Sequence, residues 1–371
     1  MRRILLLAAK LLLILAAALL LCGNASAETG ESPGNAIADA VPPEASEILE
    51  GAGITPENNG AAGLTIDGTL SYLWELFLNR VAAPIRLLAA LCGIVLLCAL
   101  AGSAADGAGS MSGVFSVVGV LAGAGMTSAA VYDALSGTLE VLQTASRFML
   151  VFVPVFAGVI AAMGKAAAAS AANTVTLGAA QLFSQLAVNF LVPVCGTVMG
   201  LSVTGAIHPE LSIGRLGELI KKAAVWSLSL IMTVFMSILS AQTFVTNSAD
   251  TVLIKTAKFA VSNGVPIVGG TISDAVNTVH ASLSLLHSSI GTYGIIAGIV
   301  IILPSLISVA CYRMALSAAE AFSGVFGVKE LTELFKACGS VMAIIMAVIV
   351  CFLLLNTISA VIMLALGGGT G

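Results

Sequence analysis

Apolar runs long enough to cross a lipid bilayer dominate this chain. Segments 87–105, 111–131, 183–206, 223–246 and 338–366 each come close to the roughly 20 residues a helix needs to span a hydrocarbon core, and 289–311 is a sixth. A backbone in lipid has no water to pair its N–H and C=O groups, so each crossing segment must pair them internally, and a helix does this along its own length. The fold class this dictates is all-α, a polytopic transmembrane helical bundle. Composition agrees: 58% of the residues are hydrophobic and 9% charged, against about 25% charged in a soluble domain. Two pieces are ambiguous. Segment 148–163 is apolar but short, and 264–287 is weakly apolar with Asp274, His280 and His287 inside it. They decide whether the count of crossings is six, seven or eight. A net charge of −4 and an aromatic content of 5% give neither a basic face nor a stacking platform, so nucleic acid is not an expected partner. The lipid bilayer is.

The chain opens with Arg2, Arg3 and Lys10 around an apolar run over 11–21, followed by Ala25-Ser26-Ala27. A positive start, a short apolar core and an A-x-A site read as a cleavable signal peptide over 1–27, with Glu28 opening the mature chain. Residues 28–70 hold eight acidic residues and no Lys or Arg. Such a stretch is expected to be an acidic, mobile tail, and its lack of positive charge suits the non-cytoplasmic side. A multi-span helical membrane domain follows over 71–371.

Small residues four apart let two helices approach closely and gain dispersion contacts. Gly119 and Gly123, Gly196 and Gly200, and Gly294 and Gly298 are such pairs, and they are the expected helix-packing positions. They also leave room for a homo-oligomer. Pro193 and Pro304 fall within spans and should kink them. Over 210–222, Ile213, Leu216, Leu219 and Ile220 share one helical face, with Arg215, Glu218, Lys221 and Lys222 on the other. Val328, Leu331, Leu334 and Phe335 repeat the pattern against Lys329, Glu330, Glu333 and Lys336. Both stretches read as interfacial amphipathic helices at headgroup level.

An internal repeat organises the second half. Val153-Pro154-Val155-Phe156-Ala157-Gly158-Val159-Ile160 resembles Val265-Pro266-Ile267-Val268-Gly269-Gly270-Thr271-Ile272, 112 residues on. Pro193 and Pro304 correspond at an offset of 111, and Leu216–Lys221 corresponds to Leu331–Lys336 at 115. The repeat units are about 148–246 and 260–366. Each reads as a Pro/Gly-interrupted short helix, a Pro-containing span, an L-x-E-L helix and a final span. If the short helix crosses the membrane the units are inverted; if it re-enters, they are parallel.

Chemistry-bearing motifs are sparse. The chain has no G-x-S-x-G, H-E-x-x-H or G-x-x-x-x-G-K-[ST], so the cues for a nucleophile elbow, a zinc protease and a nucleotide loop are missing. The seven cysteines include no C-x-x-C pair and read as apolar packing residues. No metal, cofactor or catalytic residue is expected. His208 reads as a loop residue. His280 and His287 share a helical face but lack further ligands for a metal. The candidate structural or assembly motif is Pro154 and Gly158 with Pro266, Gly269, Gly270 and Asp274. A carboxylate at membrane depth is a functional candidate by default, although a helix cap after the Gly-Gly turn is the plainer account of Asp274. Lys165 and Asn173 flank the equivalent element of the first unit, and Lys165 reads as a snorkelling end residue.

The signal, the acidic tail, the duplicated V-P-x-x-x-G element, the Pro266–Ala275 stretch and the E-L-F-K run over 333–336 together resemble the stage III sporulation protein AE family. The resemblance covers about 70–366 and the signal. It implies a multi-pass protein of the mother-cell membrane around the forespore. There it would be a non-enzymatic component of a transenvelope, secretion-like channel, needed for forespore development. The implied partners are the other stage III A sporulation proteins and forespore protein Q. The alternative that the repeat and the interrupted helices allow is a secondary transporter of a small solute.

Overall fold

The computed structural model describes residues 33–51, 54–56, 66–105, 111–207, 216–217, 219–235, 237–238 and 269–368. Within them every regular element is a helix: α1 (Pro33–Asp39), α2 (Pro43–Gly51), α3 (Ile66–Ala105), α4 (Met111–Ala162), α5 (Ala166–Ile207), α6 (helical over 219–235), α7 (Gly269–Val325) and α8 (Lys329–Gly368). Five of them are long and apolar enough to cross a membrane: α3, α4, α5, α7 and α8. The signal over 1–27, His208 and Pro266 lie outside the described residues.

The helices pack as antiparallel hairpins whose register follows from side-chain contacts. α4 and α5 are joined by a turn at Met163–Lys165, where Gly164 takes φ 87°. α7 and α8 are joined at Phe326–Val328, where Gly327 takes φ 73°. Both angles lie in the left-handed region, which glycine enters without the Cβ clash other residues suffer. Near the α7–α8 turn the Ser323 and Thr332 hydroxyls are 2.9 Å apart. Near the far end a Cβ on Gly291 would meet Leu364. α5 runs antiparallel to α8, with Thr176 against Met363 at one end and Met199 against Cys338 at the other. Phe183 and Phe352 meet between them, ring centroids 5.5 Å apart. α4 runs antiparallel to α7: Phe152 faces Gly294 and Phe156 faces Gly291.

Several elements differ from the sequence reading. The apolar pieces 111–131 and 148–163 are not separate crossings; α4 joins them in one helix of 52 residues. At 1.5 Å per residue it is about 78 Å long, more than twice a hydrocarbon core of about 30 Å. Pro84, Pro154, Pro193 and Pro304 all sit inside continuous helices, so these prolines do not cut out short ones. Each proline removes one i→i−4 bond, and a long helix clamped on several sides absorbs that loss. The amphipathic stretch at 328–336 does not lie at the headgroups by itself. It forms the first turns of α8, and Leu331, Leu334 and Phe335 are fully buried, all three reaching the Gly123 region of α4. The stretch read as a mobile tail folds over 33–51 into α1 and α2. Ile37, Val41, Ala45, Leu49 and Ile54 are buried, and the two short helices pack on α4 and α7. A few apolar residues at helical spacing suffice once a neighbouring bundle offers a surface to bury them on.

Candidate functional site

The repeated V-P element of the first unit lies where α4, α7 and α8 meet. Phe148, Phe152 and Phe156 recur every four residues, so their rings line one face of α4. Phe148 and Phe152 stack with centroids 5.6 Å apart, and Phe152 and Phe156 at 5.4 Å. The ladder ends on the imidazole of His287 in α7, 4.7 Å from Phe156. All three phenyl rings are buried. They reach α7 because Gly291 and Gly294 leave the space: a Cβ on Gly291 would stand 2.8 Å from Phe156, and one on Gly294 would fall on the Phe152 ring.

Beside this ladder runs a buried polar seam. Lys165, in the α4–α5 turn, is only 5% exposed, and its ammonium donates to the Leu366 carbonyl of α8 at 2.5 Å. A cation at the C-terminal end of a helix meets the negative end of its dipole and one of its unpaired carbonyls. The sequence reading of Lys165 as a snorkelling residue is therefore corrected: the turn points it inward. His287 lies close enough to the Met363 backbone to hydrogen-bond, while its Nε2 has no protein partner. Both side-chain polar atoms of Asn356, the Ser359 hydroxyl and Oδ1 of Asn173 are likewise buried without one. Asn356 and Ser359 stand on α8 between the Phe183–Phe352 and Thr176–Met363 contacts, which places them on its α5 side. Buried groups of this kind are ordinarily satisfied by enclosed water.

The other expected positions fall as follows. Pro154 is half-buried within α4, and Gly158 is exposed. Gly269 and Gly270 open α7, and Asp274 falls in its second turn; the side chain of Asp274 lies outside the described residues. Gly119 sits against Cys98 of α3, and Gly123 has Leu331 of α8 3.0 Å from where a Cβ would be. Gly294 is filled by Phe152, but Gly298 is buried with no atom within 4 Å of its Cβ position. Gly196 and Gly200 are exposed on α5 and also open. Gly291 was not singled out by spacing, because its contact is with an aromatic ring and not with a second helix backbone. The four-residue spacing of Phe148, Phe152 and Phe156 was the signal that could have found it. Among the described residues no three His, Cys, Asp or Glu side chains come together as metal ligands.

Five membrane-length helices around a common core define a multi-pass α-helical membrane protein. The family model of stage III sporulation protein AE matches residues 54–367, which includes all five, and the chain belongs to that family. Stage III sporulation protein AE of Bacillus subtilis (strain 168) is 26% identical over 162 residues. That match covers 44% of this chain and 41% of the relative, so less than half the length of either. No solved structure matches.

Proposed function

We propose that this protein is a non-enzymatic component of a transenvelope assembly between mother cell and forespore. In this reading it sits in the mother-cell membrane around the forespore, with the tail before α3 on the non-cytoplasmic side. It works with the other stage III A sporulation proteins and forespore protein Q to keep the engulfed forespore developing. The observation that carries the reading is the family match over 54–367, which takes in the whole helical bundle and not one exchangeable segment. The two repeat units about 148–246 and 260–366 supply its scaffold, and the Pro266–Asp274 element serves assembly.

Asp274→Asn separates this reading from secondary transport. The substitution keeps size and hydrogen-bonding capacity and removes the charge. For an assembly component, co-purification with the other envelope proteins persists and spores still form. Ion-gradient-driven uptake of a solute by the purified, reconstituted protein, lost in Asp274→Asn, would overturn the proposal.

A further inference from the structure

Helices α5 to α8 agree on where hydrocarbon can lie. Residues 174–192 of α5, 224–235 of α6, 294–312 of α7 and 343–361 of α8 contain no Asp, Glu, Lys or Arg. The contacts of Phe183 with Phe352, of Gly291 with Leu364, and of Lys221 with Ser340 at 3.1 Å put these four windows side by side. The windows of α5, α7 and α8 are nineteen residues each and rise about 28 Å, one hydrocarbon thickness. On α6 and α8 large apolar side chains face outward, as lipid requires: Trp226, Leu230, Val234, Val350 and Leu354 are exposed.

α4 breaks this pattern. Through Phe152 against Gly294, its residues 134–152 stand level with the same layer. Here the α3–α4 hairpin is displaced along the axis. Its apolar tip, with Leu97, Leu100 and Leu121 exposed, stands beyond the layer beside the α7–α8 turn, and its polar stretch falls within the layer. Ser136, Glu140, Gln143 and Arg147 repeat at helical spacing on one face of α4, and all four are exposed. A charged side chain facing lipid at that depth costs several kcal/mol, about 2.5–3.5 even on permissive insertion scales. On α5, Gln181, Gln185 and Asn189 are also exposed at the same level.

We infer that the Ser136–Arg147 face of α4 borders water at membrane depth, as part of the wall of an aqueous lumen. Opposite charges two helical turns apart, interleaved with hydroxyl and amide groups, suit a hydrated wall and not an acyl chain. Self-packing about an axis along the membrane normal would set Glu140 against Glu140 of a second copy, which disfavours a symmetric protein contact as the cover. The inference deepens the channel reading and rests on it for what the water serves.

The test is thiol accessibility of the full chain reconstituted in vesicles of phosphatidylethanolamine and phosphatidylglycerol. Single variants Ser136→Cys and Gln143→Cys are exposed to a membrane-impermeant maleimide, and adducts are located by mass spectrometry so that the native cysteines can remain. Val234→Cys and Leu354→Cys report the lipid face. The lumen predicts labelling of positions 136 and 143 at least tenfold faster than of 234 and 354. Three results would overturn it: all four positions equally protected, all four equally labelled, or 143 protected and cross-linked to a second copy. Size-exclusion profiles matching the parent protein exclude misfolded variants. Labelling in vesicles uses no partner protein, so loss of co-purification with other envelope proteins would remove the channel reading while leaving this result standing.

Discussion

Gly294→Ala places one methyl group where the structure has none to spare. The new Cβ falls on the Phe152 ring. Phe152 is fully buried and cannot swing aside, because Phe148 and Phe156 hold it on both sides at 5.6 and 5.4 Å. Relief therefore requires α4 and α7 to separate, and overpacking of this kind costs about 1–3 kcal/mol. Gly298→Ala, one turn on in the same helix, is the matched control. It is buried but open to 4 Å, and alanine is the better helix former by about 0.5–1 kcal/mol. The assay is thermal unfolding of the detergent-solubilised protein at a fixed scan rate, because unfolding of such a chain is governed by rate as well as equilibrium. Gly294→Ala should lower the midpoint by a few degrees, at about 2–4 °C per kcal/mol or somewhat less for a chain of this length. Gly298→Ala should leave it unchanged or raised. Shortening the ring in Gly294→Ala/Phe152→Leu should recover most of the loss. Equal effects at the two glycines, or no recovery in the double variant, would refute the argument that a steric fit between α4 and α7 sets this contact.

Gly164→Ala and Gly327→Ala should each destabilise by about 1–2 kcal/mol because both positions hold positive φ, whereas Gly178→Ala, with open space around its Cβ position, should not; the same unfolding assay reads all three. Lys165→Met keeps the aliphatic stem but removes the donor to Leu366. It should cost about 1.5–3 kcal/mol, the usual value of a charged hydrogen bond, and speed amide exchange over 360–366 more than over 341–350. Unchanged exchange would show that the turn and the end of α8 are not coupled through this bond.

Helix content, membrane residence and the weight of the apolar core were legible in the residues, because they depend on local periodicity and on solvation of the chain's own backbone. Composition argued against a soluble fold; in the structure Gly119 lies against Cys98 of α3 and Gly123 against Leu331 of α8. Where helices end was less legible. Neither Pro154 nor the polar stretch 132–147 stops α4, since helix propensity is a weak term beside packing along 52 residues. The polarity of a residue is written in the sequence, but the depth at which it lies is not. Lys165 turns inward because α8 ends beside the α4–α5 turn, a meeting of residues 201 positions apart. Glu140 and Arg147 stand level with the charge-free stretch of α7 because Phe152 locks into Gly294 and sets the axial register of α4 against α7. Sequence fixes which groups need burial or water; only the register between distant helices decides which of them obtain it.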